Sequence, residues 1–241
     1  MLLLVAIVAA ALLGAPAYLR LFRREMTRAD AMQRSAQALG FTYWRADPAY
    51  PGTTAQRYPF ELLSRGTRQE CENVFRGSVE GVDLVGFDLS YIDEAAIAQA
   101  ARAPGEQPDA VPQRVTCVLA DLGGSFPHLL ISPVGIIGTA IDTATWAAWG
   151  VRNQPIQFES GSFDRAFQVR SDDRRFASAL VDPAMMAWLL ANGWRWQWEL
   201  QGAYVLCNGG LVPPSEVGEM VCAIVAFSRH VPRVVTSLYP T

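Results

Sequence analysis

The stretch GWRWQWELQGAYVLCN, Gly193 to Asn208, decides how this chain folds. Trp194, Trp196, Trp198 and Leu200 occupy every second position, with Arg195, Gln197 and Glu199 between them. A side-chain period of two is the pattern of a strand with one covered and one wet face. Gln201-Gly202 reads as a turn into AYVLCN, which makes the stretch a β-hairpin. The neighbouring segments read as apolar helices able to cover the indole face, so at least two of the three indoles are expected in the core rather than on a ligand platform.

The helix expected before the hairpin lies in SDDRRFASALVDPAMMAWLLANG. Ser171 or Asp172 would cap its start, Asp182-Pro183 would restart it, and Asn192-Gly193 would end it. Phe176, Leu180, Met186, Leu189 and Leu190 form its apolar stripe. After the hairpin, Pro213-Pro214 opens a second helix that carries Glu216 and Glu219 in its first turn. Val217, Met220, Val221, Ile224, Val225 and Phe227 face its core, and Pro232 ends it.

Further toward the N-terminus, NVFRGSVEG and VDLVGFDLSYI flank Gly81 as a hairpin, with Val85, Phe87, Leu89 and Tyr91 on one face. RVTCVLADL and HLLISPV read as two strands joined by a turn at Gly123-Gly124-Ser125, and PIQFES and RAFQVRS as two more. Residues 93–113 are Ala-rich and then Pro/Gly-rich, a short helical piece followed by a loop. GIIGTAIDTATWAAWG, Gly135 to Gly150, is apolar, but Asp142 and the threonines make membrane insertion costly. It is read as a loop-helix with Trp146 and Trp149 on one face, turned to the core or to a membrane surface.

Leu2 to Leu19 carry no charge, and Arg20, Arg23, Arg24 and Arg28 follow. As a helix the run would extend roughly 27 Å, close to the hydrocarbon thickness of a bilayer. A cleaved signal peptide competes through Ala15-Pro16-Ala17, but no basic n-region precedes the run and the arginines directly after it would oppose export. An uncleaved single-pass anchor is therefore expected, with the C-terminal domain cytoplasmic by the positive-inside rule. Dispersed, unpaired cysteines agree with that compartment.

Composition excludes several chemistries. All 20 basic residues are arginine, so Schiff-base catalysis, pyridoxal phosphate attachment and the phosphate-binding lysines of P-loops and kinases have no amine to use. The net charge of −3, without a basic block, argues against a nucleic-acid partner. Cys71, Cys117, Cys207 and Cys222 are too dispersed for a zinc ribbon or a redox pair, and no cofactor is indicated. A Cys117/His128 dyad across neighbouring strands is the one nucleophilic arrangement worth weighing; inert buried thiols are the preferred reading. Asp83, Asp88 and Asp93 are read as a solvated hairpin edge.

In FDRAFQVRSDDRRFASALVDPAMMAWLL the order Phe163, Phe167, Val169, Ser171-Asp172, Ala177, Leu180, Pro183, Met186 and Leu189 resembles a pattern of uncharacterised bacterial proteins with an N-terminal membrane anchor. NVFRGSVEGVDLVGFDLSY and RHVPRVV resemble the same group. The resemblance assigns no reaction and no functional residue.

The expectation is an α+β fold: an antiparallel meandering sheet with helices packed on one face, plus one N-terminal transmembrane helix. Residues 1–24 form the anchor with its juxtamembrane arginines, 25–72 a helix and linker, and 73–241 the α+β domain. The function expected is binding, scaffolding or an accessory-subunit role at the inner membrane face, with the bilayer and other subunits of a membrane complex as partners. Arg20, Arg23, Arg24, Trp146 and Trp149 are the candidate membrane contacts. Two other readings stand beside it: a small hydrolase with a site built from distant residues, and a lipid-contacting domain.

Overall fold

The computed structural model describes residues 27–49, 54–64, 66–94, 112–134 and 155–240. The candidate anchor, its arginines, the Ala/Pro-rich loop, Trp146 and Trp149 lie outside the described residues. Among the described residues, no helix is long and apolar enough to cross a membrane.

The sheet has six antiparallel strands: β1 (Thr42–Ala46), β2 (Thr67–Val79), β3 (Val82–Ile92), β4 (Gln113–Pro133), β5 (Phe167–Ser171) and β6 (Gln197–Asn208). The first four form a meander. β4 then pairs with β5 over Leu129–Pro133 and with β6 along both its halves. The hairpin at Gly81 is present, because Glu80 and Gly81 both adopt positive φ, the geometry that a tight antiparallel turn requires. PIQFES is not a strand; it contributes a single bridge, Ile156 to Val169.

Two expected turns are bulges instead. β4 runs unbroken through Gly123, where φ is +62°, and β6 runs unbroken through Gly202, where φ is +58°. The two irregularities face each other, with Phe126 opposite Gly202. The physical reason is pairing: folding either strand back on itself would remove the long ladder that β4 and β6 share. Each bulge also resets the side-chain parity. Trp198, Leu200, Val205 and Cys207 all reach the same core although Leu200 and Val205 are an odd number of residues apart.

The helices are α1 (27–38), α2 (Gly161–Ala166), α3 (Arg174–Leu180), α4 (Pro183–Trp188), α5 (Val217–His230) and α6 (Arg233–Leu238). They contribute to one core on one face of the sheet, with Met32 and Ala36 of α1, Phe176 and Leu180 of α3 and Met220, Ile224 and Phe227 of α5 buried there. The predicted stripe of α5 is buried throughout. In the preceding region the chain breaks at Val181 and passes through a wide turn at Leu189–Gly193, so Met185 is buried in place of Met186 and Leu190 is partly exposed. Asp173, rather than Ser171 or Asp172, caps α3, whereas Asp182 caps α4 with Pro183 in its first turn as expected.

The opposite face is covered as well. The segment 54–64, two short 3₁₀ turns, lays Ala55, Phe60, Leu62 and Leu63 against Cys71, Phe87, Leu89, Tyr91, Val115, Cys117 and Leu119. Asp47 fixes one end of this strap by accepting from the Thr54 hydroxyl at 2.6 Å and from the Thr54 backbone N–H.

Candidate functional site

Three polar sites interrupt the two cores. The first joins α1 to the sheet. Asp88, on β3 between the apolar Phe87 and Leu89, turns to the helix face and is 1% exposed. Arg28 approaches it with both prongs: Nε donates to Oδ2 at 2.9 Å and Nη2 to Oδ1 at 2.8 Å. Asn73 Nδ2 donates to Oδ2 and the Thr116 hydroxyl to Oδ1, each at 2.8 Å. Arg28 also donates to the Val212 carbonyl at 2.9 Å. Tyr43 closes the network, its hydroxyl 2.7 Å from Asn73 Oδ1, and burial pushes its pKa up to about 12. A buried carboxylate so fully bonded is a fixed joint, because removing any partner leaves charge stranded away from water. Asp88 is thus not part of a solvated edge, and Arg28 does not act as a free juxtamembrane cation.

The second site lies under the strap. Glu199, placed by strand periodicity on a wet face, is 1% exposed, and Gln197 is equally buried. Glu199 Oε1 accepts the Glu61 backbone N–H at 2.7 Å and lies 3.0 Å from His128 Nε2. His128 Nδ1 stands 3.9 Å from the Glu61 carboxylate. Burial by itself would lower the imidazole pKa, but the Glu199 hydrogen bond and the charges of Glu199, Glu61 and Asp172 raise it above its ordinary value. When protonated, the ring is a charged latch between strap and sheet.

The third is an open cleft of about 530 Å³ beyond the strap, lined by Tyr58, Arg76, Val85, Leu119 and Tyr204 with Asp83 and Asp121 at its rim.

The structure separates the Cys117/His128 pair. Both belong to β4 rather than to neighbouring strands, so at roughly 3.3 Å per residue they lie on the order of 30 Å apart. Burial drives the Cys117 thiol pKa well above its usual value, away from thiolate chemistry. Sequence reasoning missed Glu199 and Asp88 because alternation treats a charged residue between apolar ones as solvent-facing. The signal that could have found them was the near-continuous apolar run VTCVLA in β4, broken only by Thr116, which marks a strand covered on both faces.

Of the expected indoles, Trp196 and Trp198 are buried, at 4% and 0% exposure, and Trp194 is 59% exposed. Trp198 stacks on Phe227 with centroids 4.6 Å apart and meets Trp188 edge-on at 5.7 Å.

No protein-family model and no curated protein matches this sequence. The fold is similar to the crystal structure of the mycobacterial trehalose monomycolate transport factor A, with a TM-score of 0.58 and 12% identity over 85% of this chain and 96% of that one.

Proposed function

We propose that this protein is a membrane-anchored accessory factor that holds its α+β domain at the inner face of the membrane as a binding or scaffold module of a larger complex. The observation that carries the reading is the Arg28–Asp88 joint. The expected anchor and its arginines end at Arg24, and helix α1, described from residue 27, is tied to the middle of the sheet through a bidentate buried ion pair. A chain leaving the membrane through such a joint would present its domain in a set orientation, which suits docking against a membrane partner. The likeness in fold to a transport factor is compatible with an accessory role.

The hydrolase alternative draws less support. The His128 ring faces the carboxylates of Glu199 and Glu61, and Cys117 is remote from it. The lipid-contact reading rests on Trp146, Trp149 and the juxtamembrane arginines Arg20, Arg23 and Arg24, which lie outside the described residues.

The test is isolation of the full-length protein from gently solubilised membranes, with mass spectrometry of what accompanies it. A stoichiometric membrane complex, weakened by Asp88→Asn while the domain still folds, is the expected result. Recovery of the protein alone at native expression levels would overturn the proposal.

A further inference from the structure

The strap covers only part of the second face of the sheet. Past Tyr58 the last rungs lie open, and their composition differs from the core beneath the strap. Arg76, Val85 and Leu119 form one register row across β2, β3 and β4. The next rungs pair Ser78 with Asp83 and Asp121 with Tyr204. Tyr58, from the strap, stands edge-on to Tyr204 with ring centroids 5.0 Å apart at 83°. Together these groups enclose the 530 Å³ cleft, within the size range of small-molecule sites.

We propose that this cleft binds a small, neutral, polyhydroxylated ligand, a mono- or disaccharide. The floor is apolar and partly aromatic, suited to the C–H face of a sugar ring. The rim supplies both halves of the hydrogen bonding that hydroxyl groups need. Asp83 and Asp121 accept, Arg76 donates, and the phenols and Ser78 do either. Arg76 carries the clearest sign of an absent partner: its Nε is buried yet makes no hydrogen bond among the described residues, while the guanidinium lies 5.8 Å over the Trp44 ring. Charge selects against the alternatives. An anion drawn to Arg76 meets two carboxylates, and a cation drawn to the carboxylates meets Arg76. The bulge that bends β4 also builds the rim, since Asp121 Oδ1 accepts the Gly123 N–H at 2.9 Å and is held at the cleft mouth.

Full-length protein in a lipid nanodisc, free of sugar-headed detergent, is mixed with glucose, maltose and cellobiose and followed by saturation-transfer NMR, with glucuronate and glucosamine as charged analogues that keep the ring. Neutral sugars receive saturation and the charged ones less. Asp83→Asn, at an exposed rim position that leaves the melting curve unchanged, weakens binding about fivefold, the loss expected when one charge-assisted hydrogen bond becomes a neutral one. Tyr204→Ala abolishes it. The proposal is overturned by absence of transfer to all three neutral sugars, by transfer that neither variant changes, or by preference for a charged analogue.

Discussion

Trp198 and Trp194 are four residues apart and chemically identical, yet they have opposite roles. Trp198 fills the contact between β6, α4 and α5 through Phe227 and Trp188, whereas Trp194 stands in solvent in the turn before β6. Trp198→Ala is expected to lower unfolding free energy by ~3–5 kcal/mol, the cost of emptying a large aromatic site, and Trp194→Ala by less than ~0.5 kcal/mol. Urea denaturation of both variants checks the difference. Asp88→Ala strands Arg28 in a largely buried position and is expected to cost ~3–5 kcal/mol, read from the same curves. The thiols divide in the same way. Cys71, Cys117 and Cys207 are buried and Cys222 is exposed. A thiol reagent at neutral pH should therefore label one cysteine quickly in the native protein and the other three only on unfolding; fast labelling of Cys117 would contradict its buried, raised-pKa setting.

At the scale of elements, the strap is the segment whose stability should follow pH. Its latch is His128, faced by Glu199 on β6, Glu61 on the strap and Asp172 after β5. Because the folded imidazole pKa is raised, the latch contributes in full below the unfolded value of about 6.5 and is lost as pH rises through the folded value. Hydrogen-exchange protection of the strap amides, Glu61 above all, should fall over that window after correction for intrinsic rates. Glu199→Gln should flatten the profile. A flat profile in the unmodified protein would mean that apolar contacts of Phe60, Leu62 and Leu63 hold the strap without the latch, and an unchanged slope in the variant would mean that the pH dependence does not come from the Glu199 contact.

For the whole molecule the decisive quantity is orientation. If, as proposed, residues 1–24 are an uncleaved anchor with the arginines on the inner side, a reporter active only outside the cytoplasm and fused after Thr241 should be silent. Neutralising Arg20, Arg23 and Arg24 while adding arginines after Met1 should raise its activity. Activity of the unmodified fusion, or a mature chain beginning at Tyr18, would reverse the assignment.

The class of structure is legible in short windows of sequence. Alternation around Trp196 and Trp198, the stripe of α5 and the cap at Asp182 are local signals, and each is legible because the period of a strand or helix is written in consecutive residues. What tertiary structure decided was which partner each edge and face would find. Gly123 and Gly202 carry the residue type of a turn, and nothing local distinguishes a turn from a bulge; the choice follows from β4 and β6 pairing with each other on both sides of the two glycines. Likewise Glu199 and Asp88 became buried because a strap and a helix distant in sequence closed over them, bringing Glu61 and Arg28 to groups that alternation had left in water. Burial of charge depends on contacts between remote segments, and no window of adjacent residues contains them.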